Sequence, residues 1–159
     1  MADQLHQINV SYLPVEDRLL LRINTKGGDE FRVWLTRRYT GILMNVLNKE
    51  IDKYGGLPAV ASSPATTEMF KQGAMEKPYE EESISNFPLG QAGFLAFAVK
   101  VNKVADDNLN LEILPEKGKG FTLNLNKSLL FMVYNLLTQG ISQAGWFLPQ
   151  EDFTDLKVH

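Results

Sequence analysis

DRLLLRINTKGGDEFRVWLTRRYTGILMNVLNKEI, residues 17–51, returns 90 residues later as DNLNLEILPEKGKGFTLNLNKSLLFMVYNLLTQGI, residues 107–141. Of the 35 aligned positions, ten are identical without a gap: Asp17/Asp107, Leu19/Leu109, Leu21/Leu111, Ile23/Ile113, Gly28/Gly118, Phe31/Phe121, Leu35/Leu125, Asn45/Asn135, Leu47/Leu137 and Ile51/Ile141. Most of them are apolar and recur at strand or helix spacing. The chain is therefore predicted to contain one structural unit twice.

The first unit is predicted to be three strands followed by a helix. Apolar residues alternate with others over residues 19–23 and again over 31–35, and a glycine pair between the two runs is typical of a β-hairpin. A shorter alternating run over residues 8–12 adds a strand upstream. Thr36 is the expected N-cap of an amphipathic helix that ends at Gly55-Gly56.

The second unit repeats this plan, with strands over about 93–104, 109–114 and 120–125 and with Asn126 as the helix cap. Its helix, predicted over 128–141, is apolar nearly all round. Such a helix must be covered on more than one side, either by the other unit or by a second chain. A homodimer is therefore expected.

The predicted fold is α+β, with two β-β-β-α units that share one core about a pseudo-twofold axis. Within a single domain, 1–159, the first unit spans 6–54, a connector 55–92, the second unit 93–144 and a tail 145–159. The connector is expected to hold a short helix that opens at Ser63-Pro64. In the tail, the apolar run of residues 146–148 is expected to pin the C-terminus to the body.

Composition limits the class of protein. The chain has no cysteine, which excludes disulfides, thiolate chemistry and cysteine-ligated metals, and it suits a reducing cytoplasm. No apolar stretch reaches the roughly 20 residues that a membrane helix needs, so no membrane contact is expected. The net charge is −3, whereas dedicated nucleic-acid binders usually carry a basic surplus. The surplus acid lies mainly in the connector, residues 55–92, while residues 1–54 carry a net +1.

The segments GDEFRVWLTRRYTGILMNVL, residues 28–47, and GKGFTLNLNKSLLFMVYNLL, residues 118–137, carry a family resemblance. Duplicated in one chain, they resemble the Whirly-type single-stranded nucleic-acid-binding proteins, in particular the Pur-alpha repeat. This resemblance implies that nucleic acid lies across exposed sheet surface. Four strands per unit are usual there, so a further strand is expected near residues 2–7 or 85–92. The strings EDRLLLR and WLTRR also look like small uncharacterised bacterial proteins, which implies no function.

The sheet face opposite the core is the candidate binding surface. An arginine-flanked tryptophan on a twisted sheet provides base stacking and phosphate neutralisation together. The candidate nucleic-acid-binding residues are the arginines and tryptophan of this face and of the following helical turn: Arg18, Arg22, Arg32, Trp34, Arg37 and Arg38. The equivalent face of the second unit is interpreted as neutral, and its residues are Asn108, Asn110, Glu112, Leu114, Gly120, Thr122, Asn124 and Asn126.

Each of these features also has a structural interpretation. Trp34 packs under the connector or at a subunit contact in that interpretation, and the arginines pair with Glu16, Asp17 and Glu30. The two arginines in the first helical turn, where the helix dipole disfavours cations, then pair with the Glu16-Asp17 turn instead of a phosphate. The acidic cluster at residues 80–82 is either a solvated linker or a phosphate mimic that occupies the arginine-bearing face.

No catalytic pattern accompanies these residues. His6 and His159 lie near the termini, far from any ligand cluster, so no metal and no cofactor are expected. The paired acids at the matching turns of the two units are typical turn residues. The sequence therefore predicts a protein that is not an enzyme. Two functions remain open: single-stranded DNA or RNA binding through the first unit, and a protein-interaction or assembly module.

Overall fold

A computed structural model of the chain describes residues 5–71, 78–82, 84–105 and 108–146. Within this part the protein is α+β, with two β-sheets and four helices. The strands are β1 Leu5–Leu13, β2 Arg18–Thr25, β3 Glu30–Leu35, β4 Phe94–Leu95, β5 Ala98–Ala105, β6 Asn108–Leu114 and β7 Phe121–Leu125. The helices are α1 Arg37–Lys53, α2 Leu57–Ala61, α3 Pro64–Lys71 and α4 Lys127–Ala144.

The first sheet has the strand order β1-β2-β3-β4, with β4 parallel to β3 and the other neighbours antiparallel. The second sheet is antiparallel, in the order β5-β6-β7. The two hairpins have the same register at the 90-residue offset, since Leu19 pairs with Leu35 and Leu109 pairs with Leu125. Helices α1 and α4 begin at the same offset.

The helix caps are those that the sequence predicts. The Thr36 hydroxyl accepts a hydrogen bond from the amide of Tyr39 at 3.1 Å, and the Asn126 side-chain oxygen accepts one from the amide of Leu129 at 2.9 Å. Each satisfies one of the amides that a helix start leaves without an intrahelical partner. Both hairpins therefore lead into their helices through the same local device.

The two sheets and helices α1, α2 and α4 share one hydrophobic core. The rings of Phe31 and Phe121, which are equivalent in the aligned stretches, lie 4.4 Å apart between centroids. The helices also reach across the two units. The Tyr39 hydroxyl of α1 donates to the carbonyl of Ala98 in β5, and α4 packs on β1, where Gly140 lies so close that a Cβ would stand 2.9 Å from Val10.

Two expectations about the strands differ from the structure. The strand expected over about 93–104 is two strands, because β4 joins the first sheet and β5 begins the second. The fourth strand of the first sheet is thus β4 at 94–95, and it lies outside both ranges in which a further strand was expected, 2–7 and 85–92. Residues 5–7 belong to β1, which begins at Leu5. A two-residue parallel strand has too few positions to show alternation in the sequence.

The connector is more structured than the sequence analysis predicted. It contains the helix expected at Ser63-Pro64 and also α2, which the sequence analysis missed. Four elements pack against α4: the connector helices α2 and α3, helix α1 and strand β1. The chain thus covers by itself much of the apolar surface that suggested a homodimer, and the dimer stays a prediction. In the tail, Trp146 is 6% exposed within the core, and residues 147–159 lie outside the described part.

Candidate nucleic-acid interface

Four of the six candidate residues lie together on the outer face of the first sheet. The alternation of β2 and β3 puts Leu19, Leu21 and Ile23 in the core and their neighbours on the opposite side. Four outer residues, Arg18, Arg22, Arg32 and Trp34, are called the arginine face below. Their placement on one side of the sheet is the one that the period of two predicts.

Arg22 and Arg32 stand directly opposite each other across the β2–β3 register. Like charges in this position destabilise a sheet unless anions lie between or beside them. Two carboxylates meet this need: Glu81 of the connector pairs with Arg22, and Glu30 of β3 accepts from Nε of Arg32 at 3.1 Å. In the second pair the side chain of Glu30 is fully buried, whereas that of Arg32 is 27% exposed. The strand pairing therefore places two cations side by side, and each has a carboxylate of the same chain as its partner.

Each arginine of the face also lies over an aromatic ring. The distances from the guanidinium carbon to the ring centroid are 4.5 Å for Arg18 over Trp34 and 4.4 Å for Arg22 over Tyr79. Arg32 lies 4.9 Å from the ring of Phe87. These contacts are within the range of cation–π attraction. Arg22 and Arg32 thus hold an anion and a planar ring at the same time.

Residues 78–82 of the connector, called the strap below, lie over this face. The side-chain amide of Gln7 holds the strap backbone twice, since it donates to the carbonyl of Pro78 at 2.9 Å and accepts from the amide of Glu80 at 2.7 Å. The hydroxyl of Tyr79 donates to the buried carboxylate of Glu30 at 2.9 Å. The interpretation in which the acidic cluster occupies the face thus agrees with the contact between Glu81 and Arg22.

The rest of the connector borders the other side of the face. Arg32 donates to the carbonyl of Gln91 at 3.0 Å, and the indole of Trp34 donates to the carbonyl of Ala92 at 2.9 Å. Gly93 follows at φ +74°, and a Cβ there would stand 2.5 Å from the Arg32 carbonyl oxygen. Trp34 is therefore half-buried under the connector, as the structural interpretation predicts.

Arg37 and Arg38 lie outside this cluster, in the first turn of α1. Arg37 bonds to Asp17 at 3.3 Å, and the carboxylate of Asp17 also accepts from the hydroxyl of Tyr12 at 2.7 Å and from the indole of Trp146 at 2.8 Å. The predicted pairing of this helical turn with the Glu16-Asp17 turn is confirmed for Arg37. Arg38 is exposed.

Burial and polar contacts shift the pKa values of side chains at the arginine face and in the Asp17 turn. The hydrogen bond from Arg22 and its positive charge lower the pKa of the Glu81 carboxyl. Burial raises the pKa of the Tyr79 hydroxyl, and the hydrogen bond to Glu30 adds to this. The hydrogen bonds from Tyr12 and then Trp146 lower the pKa of Asp17. Glu81 and Asp17 are therefore anionic, and Tyr79 is a neutral donor, across the ordinary pH range.

The outer face of the second sheet has different chemistry. Asn110 pairs with Asn124 and Glu112 with Thr122 in the register of β6 and β7. The sequence analysis predicted this neutral surface from β6 and β7, but β5 adds the exposed Lys100. The aligned counterparts of Arg22 and Arg32 are thus Glu112 and Thr122, so the two units do not carry the same site.

The sequence analysis did not name several residues that the structure places at the arginine face. Gln7, Tyr79 and Phe87 contact its cations or hold the strap, and none of them matches a known motif. The only sequence signal was the run Tyr79-Glu80-Glu81-Glu82, in which an aromatic ring precedes three acids. Such a run complements a surface of arginines, but its position on the sheet depends on contacts between distant residues.

Comparison with protein families, with curated proteins and with solved structures returned no match to this chain. The Whirly-type resemblance therefore rests on the sequence pattern alone. Among the residues that the structure describes, no group of three or more His, Cys, Asp or Glu is placed to hold a metal ion. In the same residues, no helix has the length and apolar character to span a membrane.

Proposed function

We propose that this protein binds single-stranded DNA or RNA, without catalysis, through the arginine face. The observation that carries the proposal is the double contact of Arg22, which holds the ring of Tyr79 and the carboxylate of Glu81. A nucleotide of a single strand presents the same two groups, a planar base and an anionic phosphate. Arginine recognises both, because its planar fork binds oxyanions and its face stacks on rings.

The geometry favours a single strand over a duplex. Unpaired bases expose their faces for stacking, and each stacked base contributes on the order of 1 to 3 kcal/mol. Trp34 lies opposite Leu20, two register positions from the Arg22–Arg32 pair and on the same side of the sheet. This spacing suits two or three successive nucleotides, with Arg37 and Arg38 at the end of the sheet where further phosphates would pass. Phosphate contacts release counterions and make binding sensitive to salt.

The arrangement of the strands and helices is also compatible with an internal duplication. We infer that the two β-β-β-α units arose by duplication and are arranged as in the Whirly-type proteins. The identical hairpin registers, the equivalent caps at Thr36 and Asn126, and the contact between Phe31 and Phe121 support it. In the first sheet, the short parallel strand β4 brings the strand number to the four that the resemblance implies. The second sheet has three strands in the described part.

The test is a fluorescence titration with an oligothymidylate of about 16 nucleotides, repeated at several salt concentrations from about 50 mM upward. Trp34 should be quenched, and the quenching should disappear in Trp34→Phe although Trp146 remains. Arg22→Ala and Arg32→Ala should each make the log–log salt dependence shallower by about one phosphate contact. Lys100→Ala is the matched control, because it removes one cation from the outer face of the other sheet. Absence of binding to single-stranded DNA and RNA at low salt would refute the proposal.

A second candidate function is protein interaction. It is favoured by the fact that the arginine face already holds a peptide, since the carbonyls of Gln91 and Ala92 accept from Arg32 and Trp34. A segment of another protein with aromatic and acidic side chains would find the same partners. Binding to a peptide of sequence PYEEE that is tighter than binding to oligothymidylate at the same salt concentration would favour this function.

A further inference from the structure

We propose that the strap, residues 78–82, is an intramolecular competitor that closes the arginine face, so that a single strand must displace it to bind. This inference rests on the proposed function and concerns the regulation of the same site. The strap occupies the positions that a ligand would need, because Tyr79 covers Arg22 and Glu81 neutralises it. The face can therefore hold either the strap or a nucleic-acid strand, but not both at once.

The strap reverses the charge of the surface. Without it, the face has three arginines, Arg18, Arg22 and Arg32, against two carboxylates, that of Glu16 beside Arg18 and the buried one of Glu30. The strap adds three glutamates, so the same surface becomes acidic when the strap is closed. An anionic strand that approaches the closed protein is repelled, whereas the open face attracts it. The face is thus locally basic when the strap is open, although the net charge of the whole chain is −3.

The strap is held by polar contacts that water and other anions can replace. No residue of the strap, which the structure describes in full, belongs to the hydrophobic core. The side chain of Glu81 is 66% exposed although that of Arg22 is 16% exposed. Gln7 donates one hydrogen bond to the strap backbone and accepts another, Tyr79 donates to Glu30, and the carboxylate of Glu80 bonds to the ring of His6 at 3.0 Å. Displacement therefore leaves the apolar core intact.

The amide of Glu80 can report whether the strap is closed or displaced. In the closed state the amide of Glu80 donates to the side-chain oxygen of Gln7, and this hydrogen bond should slow its exchange with solvent. Exchange at this amide, measured by hydrogen–deuterium exchange, should become faster when oligothymidylate is bound. This measurement reports the strap itself, independently of the affinity.

The affinity test compares variants that remove the same charge at adjacent positions. Glu81→Gln removes the ion pair with Arg22, and Glu82→Gln removes an exposed carboxylate of the same strap. If closing competes with binding, Glu81→Gln should tighten oligothymidylate binding about two- to fivefold more than Glu82→Gln does, since an exposed ion pair is worth that much. Gln7→Ala should act in the same direction, because two hydrogen bonds to the strap backbone are lost.

Failure of the strap and failure of the proposed function give different results. If wild type, Glu81→Gln and Glu82→Gln bind with equal affinity and the Glu80 amide stays protected in the complex, the strap is not a competitor but the binding function stands. If none of the three proteins, nor Gln7→Ala, binds a single strand, both proposals are wrong. Circular dichroism of each variant excludes loss of the fold as the cause.

Discussion

Replacing Glu30 with Gln should lower the free energy of unfolding by about 1.5 to 3 kcal/mol, the range for hydrogen bonds to a charged group. Glu30 is 0% exposed, and its two oxygens accept from Arg32 and from Tyr79. A glutamine has one oxygen acceptor and an NH₂ donor, so one of these donors would face another donor at a position that is closed to solvent. The opposed Arg22 and Arg32 would also lose a counter-charge.

Urea unfolding followed by circular dichroism measures this change. Glu116→Gln is the matched control, because Glu116 is exposed in the β6–β7 turn and its replacement should shift stability by less than about 0.5 kcal/mol. Tyr79→Phe removes the other partner and keeps the ring. In a double-mutant cycle, Glu30→Gln and Tyr79→Phe should couple by about 0.5 kcal/mol or more.

Two results would refute the reasoning on Glu30. The first is an unfolding midpoint for Glu30→Gln that equals that of the Glu116→Gln control, since a buried carboxylate with two donors cannot then be present. The second is strict additivity with Tyr79→Phe, which would mean that the strap does not contact Glu30 in solution. The slope with urea should be unchanged in each variant, because the same surface unfolds.

Three further predictions concern the core, a turn and the response to pH. Phe31→Leu and Phe121→Leu should couple by about 0.5 to 1.5 kcal/mol in a urea double-mutant cycle, and additive effects would show that the two rings do not meet in solution. Gly93→Ala should be less stable than Gly90→Ala by about 1 kcal/mol or more, since both have positive φ but only at Gly93 would the new Cβ meet a backbone oxygen, and equal stability would contradict this close approach. The lowered pKa of Asp17 means that its stabilisation is present above the ordinary pKa of an aspartate, about 3.9, and is lost as the pH falls through the lowered value. Acid titrations followed by tryptophan fluorescence should therefore differ between wild type and Asp17→Asn below about pH 4, and coincident curves would contradict the assignment.

The hairpins, their helices and the arginine face were within reach of the sequence because each depends on local patterns. A period of two over β2 and β3 places Arg22, Arg32 and Trp34 on one side, and a polar residue before a periodic run predicts the caps at Thr36 and Asn126. These signals lie within a few residues of the features that they predict. Local physics therefore determines most of the two units.

The connector was not predictable in the same way. The contact between Arg22 and Glu81 joins residues 59 positions apart, and that between Gln7 and Glu80 joins residues 73 positions apart. Composition indicates that acids and arginines attract, but it does not indicate which acid meets which arginine. The sequence analysis therefore left a solvated linker and an occupied face as alternatives, and only the three-dimensional arrangement distinguishes them.

The packing of α4 on β1 has a consequence for synthesis on the ribosome. Val10 and Gly140, which touch in the finished protein, are separated by 130 residues. At translation rates of about 5 to 20 residues per second, α4 is synthesised on the order of ten seconds after β1, the strand that it covers. During this interval its apolar side is open to chaperones or to other nascent chains. A chain truncated before α4 should therefore aggregate, because the apolar side of β1 is left uncovered.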